Sequence, residues 1–176
     1  MRRLVVLSGG VGAGKSSLAA ALGTLRGACV VNTRDLIVAL KPDVERSRGP
    51  LQEAGEALDR EFAAAWVADG LAKLDPEEDL VVLDAARRAE QIEAIRRRFP
   101  EVAVTHLHLQ ASEAVMSQRY GSRARAGDEL LDYASVRRNA TEAGVESLAA
   151  TCDLLIDTSM DAPEAIASRV VAGLEA

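Results

Sequence analysis

The sequence predicts an α/β domain with a largely parallel sheet covered by helices on both faces, and three observations carry that expectation. Short β-branched runs alternate with longer stretches of helical periodicity along the chain. The first apolar run passes through a glycine-rich turn straight into an alanine-rich helical pattern. The 176 residues, 48% hydrophobic and 27% charged, suit one compact domain with a real core.

Five strands are expected at Leu4–Leu7, Ala28–Val31, Leu80–Leu83, Val102–Leu109 and Leu154–Ile156. Each is short, apolar and rich in Val, Leu or Ile, as a strand buried on both faces must be. Helical periodicity covers Lys15–Leu22, Thr33–Leu40, Leu51–Lys73, Arg88–Arg98, Ser112–Tyr120, Tyr133–Ala150 and Pro163–Leu174. No internal repeat or linker divides the chain, so residues 1–176 read as a single domain. Lys41–Pro50 and Gly121–Asp132 carry the proline, glycine and mixed charge of irregular segments.

Composition narrows the function. With 21 Lys+Arg against 27 Asp+Glu the net charge is −6, so no global field favours a nucleic-acid polymer, and any anion must be held locally. No stretch approaches the roughly 18–20 apolar residues of a membrane span, and the Leu4–Leu7 run is too short for a signal-peptide core. A cytoplasmic protein without a membrane partner is the expectation. Cys29 and Cys152 lack metal-type spacing and read as small buried side chains. His106 and His108 share one strand face, but no third ligand is placed with them, so a satisfied buried pair is the simpler reading than metal.

The strongest motif is Gly9-Gly10-Val11-Gly12-Ala13-Gly14-Lys15-Ser16, a complete GxxxxGK[ST] phosphate loop between a strand and a helix. Its backbone N–H groups can turn toward phosphate oxygens while the helix start adds positive potential. Gly10, Val11, Gly12, Ala13, Gly14, Lys15, Ser16 and Ser17 are therefore the candidate ATP-binding residues, with Lys15 reaching the β- and γ-phosphates. Ser16 is the expected Mg²⁺ ligand. Asp84 closes the third strand at its carboxyl end, where it is either a metal-side carboxylate, direct or through water, or the cap of the next helix.

Other charges gather at the same sheet edge. Arg34 and Asp35 open the helix after the second strand; they either grip a second substrate or simply follow a Thr33 cap. Arg87 and Arg88 follow Asp84, and at least one of them can be a solvated helix residue. Arg119, Arg123 and Arg125 concentrate positive charge around Gly121 and Gly127, as a lid that closes on polyphosphate or as a basic surface turn.

Taken in order, Gly9–Ser16, Thr33-Arg34-Asp35-Leu36, Asp84-Ala85-Ala86-Arg87-Arg88 and Arg119-x-x-x-Arg123-x-Arg125-x-x-Asp128 resemble the P-loop nucleoside monophosphate kinase family, within it the deoxynucleoside monophosphate kinase and dephospho-CoA kinase branches. Gly49–Gly55 leading to Trp66-Val67 is similar to the helix those kinases carry over the acceptor, and Glu90 or Gln91 sits where they often place an acid. Arg138–Gly144 and Cys152–Asp157 look like their last helix-strand unit.

The resemblance implies a three-layer P-loop fold with strand order 2-3-1-4-5, an acceptor-side helical region at about residues 33–74 and a short lid at about 119–132. It implies γ-phosphoryl transfer from ATP with Mg²⁺ to a small-molecule acceptor, first a (deoxy)nucleoside monophosphate, near Asp35 and Arg87/Arg88. Catalysis then falls to Lys15, Asp35, Arg119, Arg123 and Arg125. Ala85 and Ala86 replace the glycine and proline of many nucleotide kinases, and few aromatics are available to stack a base. A hydroxyl acceptor (nucleoside, dephospho-CoA or another metabolite), with Asp35 as base, is the alternative, as is a P-loop ATPase switch or assembly factor. The chain is expected to act as a monomer or homodimer.

Overall fold

The structure is a computed structural model that describes residues 1–122, 133–134 and 144–175. Five strands form one parallel sheet: β1 Arg3–Ser8, β2 Cys29–Asn32, β3 Leu80–Asp84, β4 Ala103–Gln110 and β5 Leu154–Asp157, in the spatial order β2-β3-β1-β4-β5. That is the three-layer arrangement expected of the chain. β1 lies at the centre, and Leu4, Val5, Val6 and Leu7 are fully buried, which is why this run is apolar without alternation. Each such side chain contributes about 1.5–3 kcal/mol through burial.

The helices around the sheet are α1 Lys15–Arg26, α2 Thr33–Leu40, α3 Arg48–Phe62, α4 Ala65–Leu74, α5 Ala89–Arg98, α6 Glu113–Gly121 and α7 Pro163–Glu175. Side chains alternate across β1. Leu4 and Val6 join a core with residues of α2, α4, α5 and the 3-10 helix Val145–Ala150. Val5 and Leu7 join a second core with α1 and α7 on the opposite face. Every strand ends at the same edge, so Ser8, Asn32, Asp84, Gln110 and Asp157 lie along one rim, the place where open parallel sheets hold ligands.

Three expectations are corrected. The helix read as Leu51–Lys73 is two, broken at Ala63, which takes φ 49 and ψ −129. No glycine or proline marks that break. It exists because α3 buries little beyond Leu51 and Leu58 while α4 buries Trp66, Val67, Ala68 and Leu71 in close succession, and Gly70 packs tightly on Leu36. Trp66 Nε1 donates to Asp59 Oδ1 at 2.7 Å and ties the two pieces together.

The second correction concerns Val145–Ala150, which winds as a 3-10 helix at the end of the expected Tyr133–Ala150 helix. Ser147 Oγ donates to the Gly144 carbonyl at 2.7 Å, three residues back, and so favours the tighter turn. Tyr133 and Ala134 are helical, and residues 135–143 lie outside the described residues. Third, Cys29 and Cys152 are free but half-buried, beside the core and not within it. The irregular character of Lys41–Pro50 holds to Ser47; Pro50 then sits in the first turn of α3, where its missing N–H costs nothing.

Candidate functional site

The glycine loop leaves β1 and wraps onto the start of α1. Gly9 has φ +135 and its backbone passes against the Leu109 carbonyl, while Gly12 has φ +86 and a Cβ there would lie 2.5 Å from the Met116 carbonyl oxygen. Only glycine meets both demands. α1 begins at Gly14 with no side-chain cap and no acidic residue in its first turn. Its first N–H groups are therefore not capped by a carboxylate of the helix's own first turn, which leaves them for an anion.

Lys15 Nζ folds back onto the loop, donating to the carbonyls of Gly9 at 2.6 Å and Gly10 at 2.9 Å. Ser16 Oγ donates to Asp84 Oδ2 at 2.7 Å, joining α1 to the end of β3. Asp84 is thus not the cap of α5, which starts at Ala89 behind Arg88. A hydroxyl and a carboxylate side by side are hard oxygen donors, and Mg²⁺ takes one or two such protein ligands together with substrate phosphates. The pair fits that ion.

The expected Thr33 cap is corrected to Asn32. Asn32 Oδ1 accepts from the Asp35 N–H at 3.2 Å and the Asn32 N–H donates to Asp35 Oδ2 at 2.9 Å, a complete capping box. Thr33 Oγ1 instead donates to the Ala85 carbonyl at 3.0 Å, fastening β2's end to the segment after Asp84. Asp35 is half-buried and Arg34 exposed. Arg87 and Arg88 are both exposed: the Arg87 N–H donates to Gln91 Oε1, and the Arg88 guanidinium pairs with Glu90 at 3.5 Å.

Arg119 lies at the end of α6 and reaches across to the turn after β5. Its Nη1 donates to Thr158 Oγ1 at 2.9 Å and its Nη2 to the Thr158 carbonyl at 2.7 Å, with the Gly12 carbonyl 3.5 Å from Nη1. Thr158 is buried, and its Oγ1 lies 3.0 Å from the Ala13 carbonyl and 3.2 Å from that of Gln110. One hydroxyl thereby links the phosphate loop, β4 and α6. Sequence reasoning missed Thr158, although its place just past a strand's carboxyl end is a usable signal. Arg123, Arg125 and Asp128 lie outside the described residues. Among the described residues no group of three or more His, Cys, Asp and Glu is arranged to hold a metal, and His106 and His108 instead share a hydrogen-bonded Ser8.

The AAA domain profile matches residues 4–155, which runs from β1 into β5 and includes the whole cradle. The chain belongs to the AAA domain family. No curated protein sequence matches this AAA domain significantly. Among solved structures it is similar to shikimate kinase from Bacteroides thetaiotaomicron, with TM-score 0.65 and 17% identity over 99% of each chain. It is similar also to the tunicamycin resistance protein of Deinococcus radiodurans, with TM-score 0.64 and 19% identity over 99% of this chain and 96% of the other. A third likeness is to the APS kinase of Mycobacterium tuberculosis in complex with AMPPNP and APS, with TM-score 0.57 and 16% identity over 99% and 98%. These likenesses establish a kinase-like P-loop fold for the AAA domain. Among the described residues no helix is long and apolar enough to cross a membrane.

Proposed function

We propose that the chain is a phosphotransferase that moves the γ-phosphoryl group of ATP to a small-molecule acceptor at the carboxyl edge of the sheet. The observation that carries this reading is the Ser16–Asp84 contact at 2.7 Å beside an uncapped helix start and the folded-back Lys15. The loop N–H groups and Lys15 bind the polyphosphate, Lys15 exchanging its two carbonyl partners for phosphate oxygens. Ser16 and Asp84 would hold Mg²⁺, which when bound neutralises charge on the β- and γ-phosphate oxygens. Thr158 and Arg119 keep the loop in register from below. Arg123 and Arg125 are assigned, from sequence, to close over the transferred group.

The acceptor lies between Asp35 and Arg87/Arg88. A (deoxy)nucleoside monophosphate is the acceptor to which the motif order points, with the arginines on its phosphate. A hydroxyl acceptor is the second reading, and a specific observation favours it. Trp66 of the acceptor-side helices is only 3% exposed and gives its N–H to Asp59, so its indole is not offered to a base. The name of the shikimate kinase neighbour agrees with a hydroxyl acceptor. In that chemistry the acceptor O–H proton passes to the Asp35 carboxylate as the new O–P bond forms and the bond from the γ-phosphorus to the β,γ-bridging oxygen breaks, ADP leaving.

The test is a panel of nucleoside monophosphates, nucleosides and hydroxylated metabolites, scored together for ADP release and phosphorylated product. Product with one acceptor class assigns the reaction. ADP release without product from any acceptor would replace the kinase reading with an ATPase switch, and neither ADP nor product would remove both.

A further inference from the structure

Ser8, the last residue of β1 and the one before the glycine loop, is fully buried between two imidazoles from the neighbouring strand. His106 pairs with Val6 and His108 with Ser8 in the β1–β4 register, so both rings lie on the same face. Ser8 Oγ is 2.7 Å from His106 Nε2 and 2.8 Å from His108 Nδ1. A hydroxyl carries one proton and can accept two hydrogen bonds; with its own proton kept between the rings, one ring donates to Ser8 and the other accepts from it. Two arrangements satisfy this; once both outward nitrogens carry a proton, they interconvert by moving the two inner protons along the chain from one ring to the other. His106 Nδ1, on the far side of its ring, is buried and makes no hydrogen bond of good geometry among the described residues, with the Thr151 backbone the polar group acting on that ring.

This geometry limits the proton count while the Ser8 proton stays between the rings. With no added proton, one outward nitrogen, His106 Nδ1 or His108 Nε2, is bare. One added proton fills it, and the two bonds to Ser8 survive unchanged. A second would place N–H donors on both sides of Ser8 and leave the Ser8 proton to leave the chain. The charged groups around the rings differ. His108 lies in the field of Lys15, whose Nζ is bound to the Gly9 carbonyl next to Ser8, and of Glu146 in the 3-10 helix; His106 lies in that of Asp153, just before β5, and of Arg96 in α5. Asp153 is also bound to the His106 backbone N–H at 2.7 Å and to Arg96 at 2.6 Å.

We propose that Ser8, His106 and His108 form a one-proton relay beneath the phosphate cradle that gains its proton when a polyphosphate binds, His108 sensing the anion and His106 sharing the charge through Ser8. The proposal rests on the reading of the loop as a polyphosphate site. Burial lowers both imidazoles below their ordinary range, with His108 and Arg96 adding to the effect at His106 and Lys15 at His108, while Asp153, the Thr151 backbone and Glu146 oppose it. A bound polyphosphate cancels the Lys15 charge and so raises the basicity of the ring beside it. By linkage, nucleotide binding then tightens as pH falls. A rise of one pKa unit gives about threefold tighter binding midway through the titration.

The chain contains only two histidines, so ¹⁵N-histidine labelling of the full chain reads both rings without a variant. The imidazole nitrogens are titrated by NMR from pH 8 to 5, free and with saturating MgADP, whose binding is followed separately by calorimetry. In the free folded protein the two rings should together take up no more than one proton, and MgADP should move that uptake to higher pH. Ser8→Ala should let the rings titrate independently, and His108→Gln should abolish the response to MgADP. Two full protonations in the folded wild type overturn the relay. An uptake that MgADP binds without moving overturns the sensing. Absence of MgADP binding overturns the sensing together with the polyphosphate reading, and the free titration still decides the one-proton relay.

Discussion

Two helices start at the same edge of the sheet and have opposite chemistry at their first turns. α1 opens at Gly14 without a side-chain cap or an acidic residue, whereas α2 opens with Asn32 and Asp35 closing a reciprocal box. The first leaves its N–H groups and dipole for a ligand; the second satisfies them internally. One strand's width separates an end built to receive an anion from an end already supplied with one. Residues of the α1 start are therefore expected to act on phosphate chemistry alone, and those of the α2 start on both stability and acceptor handling.

The largest effect should come from the open end. Lys15→Ala is expected to lower kcat/KM by about 10²–10³-fold, the scale of removing one preorganised donor to developing charge. Ser16→Ala should follow it, since it removes a proposed Mg²⁺ ligand. Neither should lower the melting temperature appreciably, because both side chains point into the cradle and not into a core. Wild-type turnover in folded Lys15→Ala protein would sink the assignment of this end to catalysis.

The arginines at and beyond the end of α6 sharpen the same contrast. Arg119 is already spent on Thr158, so Arg119→Ala should cost stability, about 1 kcal/mol for the lost charge-assisted hydrogen bonds, along with nucleotide affinity. Arg123→Ala and Arg125→Ala should instead lower kcat more than they weaken ATP binding, because charge stabilisation realised on closure acts on the transition state. Stopped-turnover kcat, ATP Kd and thermal melts on the three variants separate the roles. Unchanged kcat in stable Arg123→Ala and Arg125→Ala proteins would take the lid out of the mechanism.

At the capped end, two substitutions at Asp35 divide structure from chemistry. Asp35→Asn keeps a side-chain oxygen to accept from the Asn32 N–H and removes the charge; Asp35→Ala removes both. Asp35→Ala should lose about 1 kcal/mol of stability, the usual worth of a helix cap, while Asp35→Asn loses little. Both should impair acceptor use with ATP affinity preserved. Normal acceptor kinetics in Asp35→Asn would make this residue a cap only.

How much of this was legible in the sequence follows from the range of the interactions. The glycine loop is contiguous, and its demands for backbone freedom and a following helix are written in adjacent residues, so Gly9–Ser16 and its strand-loop-helix setting could be read directly. The place of Asp84 beside the loop can be inferred because strand ends share an edge in a parallel sheet. The break at Ala63 carries no local signal, since the demand that α4 turn inward comes from α2 and α5. Thr158 acquires its role only when β5 is brought beside the loop, 145 residues away in sequence from Ala13. His106 and His108 could be placed on one face by period, but their shared partner Ser8 depends on the β1–β4 register, which no local pattern specifies.

The smallest effect expected is a pH dependence of stability, and its sign follows from that buried pair. Both imidazoles are held below the ordinary 6.5 in the folded chain, chiefly by burial. The unfolded chain therefore binds protons first as pH falls, and stability present at pH 7 and above is lost from about 6.5 downward through the folded values. Melting temperature should decline from pH 7.5 to 5.5, in a window above most carboxylate titration. His106→Asn and His108→Gln should each flatten that decline while lowering the melting temperature at pH 7.5, because each removes a bond to Ser8. Saturating MgADP should also flatten it, since a cradle that raises the rings' basicity closes the gap between folded and unfolded values. A wild-type decline that both variants reproduce unchanged would assign the acid sensitivity to carboxylates elsewhere, and would leave the two helix starts, open and capped, as the edge's only electrostatic contrast.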